Sequence, residues 1–101
     1  MSIKVAVLQS GEQIIAGMKE IVSEDKPIAY LFNLPHKIVL NNQIVLSESE
    51  DKSSVEVTLA KWILISDEDD IPVSVNQVVT LVEPVASVKK MYEEKVNGSD
   101  Y

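Results

Sequence analysis

The chain has no cysteine and no arginine, and only one histidine, one tryptophan and one phenylalanine among its 101 residues. The missing cysteine excludes a disulfide framework, a thiol nucleophile and a thiolate-held zinc or iron–sulfur centre. The missing arginine removes the side chain best suited to bidentate recognition of phosphate or guanine. All nine basic residues are lysines, set against 16 acidic ones for a formal charge of −7. Such a molecule repels a polyanion overall, although lysines and backbone amides gathered on one face still offer local binding. Apolar runs are only a few residues long, so no membrane-spanning helix is predicted, and no membrane partner. The stretch from Met1 to Lys19 has neither the basic start nor the unbroken apolar core of a secretory leader, and a cytoplasmic location is expected. Glycine and proline are scarce, at three and four residues, whereas valine and isoleucine together number 25. That balance favours β-structure within one small domain.

The pattern along the chain is a series of strands. Ile3 to Leu8 alternates and then meets Gln9-Ser10-Gly11, which reads as a hairpin turn. Glu12 to Val22 resumes as a strand that bends or bulges at Gly17; a helix over Glu12 to Glu20 is the competing reading. A polar turn at Ser23 to Pro27 leads into Ile28 to Leu34. Pro35 then breaks that strand, and Lys37 to Val45 turns at Asn41-Asn42. After a charged loop at Ser47 to Ser54, Val55 to Ile65 reads as a strand covered on two sides near Trp62. An acidic loop at Asp67 to Asp70 precedes Ile71 to Val82, with a turn or kink at Val75-Asn76-Gln77. Val78, Val79, Leu81 and Val82 at its end follow with little interruption, which suits a strand paired within a barrel or with another subunit. From Pro84 the period changes: Val85, Val88, Met91, Tyr92 and Val96 form one stripe of a C-terminal amphipathic helix that stops near Gly98. The division is therefore a β-domain over residues 1–84 and a helix with its tail over 85–101.

Candidate chemistry is sparse. His36, between Pro35 and Lys37, reads as a turn or surface residue with no second histidine or cysteine to complete a metal or nucleophile system. The Asp67 to Asp70 run lacks the ligand spacing and glycine of a calcium loop and reads as a solvated turn. Neither phosphate-cradling glycine motif occurs, so no cofactor, metal or catalytic residue is assigned. Tyr30, Phe32 and Trp62 read as core or interface residues, or as a base-stacking platform. Asn33 and Asn76 place amides at the ends of apolar segments.

The segment Leu8-Gln9-Ser10-Gly11-Glu12, with Ile14 and Gly17, resembles the opening of the first motif of the Sm-like (LSm) proteins. Phe32-Asn33-Leu34 resembles that motif's end, commonly Met-Asn-Leu, and Ile71 to Leu81 is similar to the second motif. The chain also resembles small proteins of T4-like phages of marine cyanobacteria. The resemblance implies a mostly β fold: a small, strongly bent five-stranded antiparallel barrel, here with a C-terminal helix. It further implies edge-to-edge assembly into a cyclic homo-oligomer of about five to eight subunits, with single-stranded RNA as a partner and Phe32, Asn33 and Asn76 as its binding residues. The expected function is that of a non-catalytic ring-forming protein. The alternative is an oligomeric scaffold or adaptor that binds an unknown protein and no nucleic acid; an enzyme built from converging carboxylates is a third reading.

Overall fold

A computed structural model of the protein describes residues 2–43 and 54–98. The loop read at Ser47 to Ser54 therefore lies, apart from Ser54, outside the described residues. Six strands and one helix follow in order: β1 (Ser2–Leu8), β2 (Gln13–Ser23), β3 (Lys26–Gln43), β4 (Ser54–Lys61), β5 (Asp70–Ser74), β6 (Val78–Val82) and α1 (Ala86–Asn97). A single 3-10 turn, Val75–Gln77, joins β5 to β6 where the sequence predicts a kink. All pairings are antiparallel, in the order β4-β3-β2-β1-β6, and β5 also pairs with β3. The fold is thus mostly β, with six strands rather than five in a sheet that does not close among the described residues.

Local chemistry explains the well-read parts. The Leu8 carbonyl accepts the Gly11 N–H at 2.8 Å, and Gly11 has φ +92°, the left-handed conformation that closes a hairpin of this type. No helix forms over Glu12 to Glu20, because β2 pairs with β1 from Gln13 to Met18 and with β3 along its length. The β2–β3 ladder slips between Ile15 and Gly17, the irregularity expected at that glycine. The β2–β3 turn has positive φ at both central residues, Glu24 (53°) and Asp25 (65°), as a two-residue hairpin of matching twist requires.

Three expectations fail. Pro35 does not end its strand: β3 runs through it, and Asn41-Asn42 stay in the strand opposite Glu56 and Val55 instead of turning. β4 ends at Lys61, so Trp62 to Ile65 lie in the following loop and not in a covered strand. β3 is long because it serves two partners on one edge, β5 along Ala29 to Asn33 and β4 along His36 to Gln43.

Strand alternation divides the core between the two faces of the sheet. Ala6, Leu8, Ile14, Ala16, Met18, Phe32 and Val73 form one cluster, around which the sheet curls so that Ile71, Val78 and Leu81 also reach it. Val5, Ile15 and Leu59 lie on the opposite face and are covered by Tyr92 of α1, with Val88 and Val96 beside it. The helix stripe read from the sequence therefore packs on the sheet through Val88, Tyr92 and Val96. Val85 and Met91 remain exposed.

Candidate functional site

The residues assigned to RNA separate on folding. Phe32 faces the curled cluster at 0% exposure, with its ring centroid 6.1 Å from that of Trp62 and tilted by 42°. With no open face it cannot stack a base, which corrects the stacking assignment and makes Phe32 a core residue. Asn33 is half-buried; its Nδ2 donates to Asp70 Oδ1 at 2.7 Å and its carbonyl accepts the Tyr92 hydroxyl at 2.9 Å. Asn76 is exposed in the 3-10 turn, where its N–H donates to Ser74 Oγ at 3.2 Å. Asn33 pairs with Asp70 at one end of the β3–β5 ladder and Ala29 with Ser74 at the other, so a strand length of roughly 13 Å separates the two amides. They do not form one site.

Around Asn33 the chain instead builds a kink. Leu34 takes φ +51°, Pro35 is buried, and His36 is 1% exposed, against the expectation of a surface histidine. At the point where β3 changes partners, its polar groups are met from outside the sheet. Leu34 N–H donates to the Asp69 carbonyl at 2.7 Å and Trp62 N–H to the Pro35 carbonyl at 3.2 Å. The Leu34 carbonyl accepts the Tyr92 hydroxyl at 3.2 Å and His36 Nδ1 at 2.9 Å. A carbonyl only accepts, so Nδ1 carries the proton. The His36 ring also meets Tyr92 edge-on, at 5.8 Å and 82°. Burial pushes its pKa below the ordinary value; the Leu34 hydrogen bond opposes that, and the Lys95 and Lys61 charges add to it. This is a structural lock between β3 and α1.

The segment after β4 has a different character. Trp62 and Asp69 are the two residues pinned to the kink, and between them the chain loops out from the edge of β3. Lys61 Nζ donates to the Ser66 carbonyl at 2.7 Å, Ser66 N–H to the Ile63 carbonyl at 3.3 Å, and Glu68 N–H to Ser66 Oγ at 3.0 Å. The tip so held presents Leu64 and Ile65 to solvent at 77% and 98% exposure. Asp67 to Asp70 follow, all exposed. Sequence reasoning missed this tip; the available signal was that Trp62-Ile63-Leu64-Ile65 abandons the alternation kept through β4.

The loop divides one edge of the sheet into two parts. Because hydrogen-bonded pairs alternate along an antiparallel ladder, the Leu34–Asp69 bond places Pro72 at a position whose nitrogen faces away from β3. Proline there suits an edge strand and denies a donor to any further strand. By the same count, the Trp62–Pro35 bond turns the backbone groups of Val57 and Leu59 outward from β4. The opposite edge of the sheet is β6, where Val79 and Val82 are 58% and 46% exposed. Lys4 of β1 and Glu83, just past β6, form an ion pair that holds the Glu83 carboxyl below its usual range. Among the described residues no three histidine or acidic side chains gather in a way that would hold a metal ion.

No curated protein matches the chain in sequence. The model of a family of unknown function, DUF6561, matches residues 1–97, and the chain belongs to that family.

Proposed function

We propose that this member of the DUF6561 family is a non-catalytic, self-assembling β-module of Sm-like type that serves as a protein scaffold. The Sm-like reading is supported by the curl of the sheet around the Phe32 cluster, by β6 returning to β1, and by the 3-10 turn before β6. The observation that carries the assembly reading is the open sheet, in which the two end strands, β4 on one side and the apolar β6 on the other, each have one edge without a partner among the described residues. An uncharged strand such as Val78–Val82 left at a free edge is a template for pairing with another chain. Addition of β6 of one copy to β4 of the next repeats head to tail, and such a contact closes into a ring when its rotation permits. Phe32 in the core, Asn33 tied to Asp70, and the −7 charge favour protein over RNA as the further partner.

Sedimentation equilibrium of the full chain across the micromolar range tests this. The expected result is a discrete mass several times 11.2 kDa; a monomer mass at every concentration rejects assembly. Titration with labelled A-rich and U-rich RNA at physiological salt separates the two partner classes. Saturable binding there replaces the scaffold reading with the RNA one.

A further inference from the structure

We propose that α1 is a proton-released cover: neutral His36 keeps the helix on the sheet through Tyr92, and protonation of His36 frees the helix while the strands stay paired. The helix is attached lightly. It follows β6 after a three-residue tether, Glu83-Pro84-Val85, and its start has no side-chain cap. Tyr92 is its one buried side chain, with Val88 and Val96 half-buried beside it. Twelve residues are too few for a helix to persist alone in water, so α1 depends on this contact. An element held by so few side chains opens before a sheet does.

The contact passes through a titratable ring. The Leu34 carbonyl accepts both the Tyr92 hydroxyl and His36 Nδ1, and the two rings meet edge-on at 5.8 Å. A proton on His36 places a full charge in an enclosure where the ring is 1% exposed, at a cost that hydration recovers once Tyr92 lifts away. The described charges around the ring point the same way. Lys61, its cross-strand partner on β4, and Lys95 of α1 are half-buried, and both oppose the proton. β2 presents Ile15 opposite it, and Lys37, next along β3, is paired with Glu12. Glu68 and Asp69 line the narrow cavity at His36, and Glu93 lines the groove between α1 and Leu34, but all three are exposed, where water screens their attraction. Departure of α1 also takes Lys95 away. The docked form therefore favours the neutral ring, and the released form takes up the proton as pH falls below about 6.5, the ordinary histidine value.

His36 is the one histidine, so NMR of the natural chain reads its ring titration directly, alongside amide hydrogen exchange corrected for its intrinsic pH dependence. The amides of α1 should be less protected than those of β1 and β2, the mark of a helix that opens while the sheet holds. Between pH 7.5 and 5 their protection should fall at least about tenfold, with a ceiling of about thirtyfold for one proton taken up at an open-state pKa of about 6.5. In His36→Gln that protection should stay flat over the same range. Protection of α1 equal to that of β1 and β2 at both pH values means that the helix leaves only with global unfolding, and overturns the proposal. A fall of the same size in His36→Gln overturns it too, as does acid-induced exchange confined to residues 62–69. Should His36→Gln fail to fold, the natural chain decides alone: a ring that titrates with no change in α1 exchange rejects the cover.

Discussion

The two ends of the molecule use the same residue types to opposite effect. On the α1 side, Val5, Ile15 and Leu59 are covered by Tyr92, whose hydroxyl also serves the Asn33 and Leu34 carbonyls. On the sheet edges, Leu64, Ile65, Val79 and Val82 are as apolar but face solvent. Apolarity in the sequence therefore does not distinguish an internal contact from an external one; what distinguishes them is whether a later element returns to cover the position. The α1 helix returns to one face, and among the described residues nothing returns to β6 or to the loop after β4. It is on these uncovered apolar positions that the proposed self-assembly rests.

Phe32 and the Leu64–Ile65 tip give the largest contrast. Phe32→Ala removes the biggest fully buried side chain from the central cluster and should cost about 3–5 kcal/mol in urea unfolding. Leu64→Asp/Ile65→Asp, at positions that touch little within one copy, should leave the monomer's own stability within about 0.5 kcal/mol of the natural value. Equal losses in the two variants would mean that the tip belongs to the core and would remove the distinction between the two sides.

The contrast also explains which parts of the fold were legible in the sequence. β1, β2, the hairpin at Gly11, the kink at Val75–Gln77 and the stripe of α1 are local patterns, carried by alternation, a glycine or helical spacing. β3 was not readable across Pro35, because proline ends a strand only where its missing N–H is needed. Here the strand is changing partners, and the Pro35 carbonyl is taken by Trp62. The burial of His36 depends on Tyr92, 56 positions further along the chain, and no local pattern encodes that meeting. Of the residues tied to RNA by resemblance, Phe32 and Asn33 sit where packing and Asp70 occupy them, and only Asn76 remains exposed.

A smaller effect should come from pH, and it belongs to the covered side alone. Burial holds the His36 pKa below its unfolded value, so at mildly acidic pH the unfolded chain binds a proton that the folded chain resists. The contribution of neutral His36 is fully present above the unfolded pKa of about 6.5 and is lost as pH falls below it, at no more than about 1.4 kcal/mol per pH unit for one proton. Urea midpoints between pH 7.5 and 5 should fall for the natural chain and fall less for His36→Gln, once the shared drift from the carboxylates is subtracted. Identical pH profiles would mean that protonated His36 is accommodated and that the lock to Tyr92 does not depend on a neutral ring.

The smallest expected effect lies in the β2–β3 hairpin, away from both sides of the comparison. Glu24 and Asp25 hold left-handed φ values of 53° and 65° without the asparagine and glycine that adopt them most readily. Both residues are exposed, and the turn is closed by the Ser23–Lys26 pair, so the backbone conformation rather than packing carries the cost. Glu24→Asn/Asp25→Gly should relieve that strain and stabilise the chain by about 0.5–1 kcal/mol, the lower part of the range reflecting the extra freedom glycine gives the unfolded state. For a domain of this size the gain corresponds to a rise in Tm of about 2–8 °C. Because neither residue lies on β4, β6 or the Leu64–Ile65 loop, the variant should raise Tm and leave the sedimentation profile unchanged. A higher Tm with altered assembly would place the hairpin inside the contact between copies and move the interface away from the two open edges.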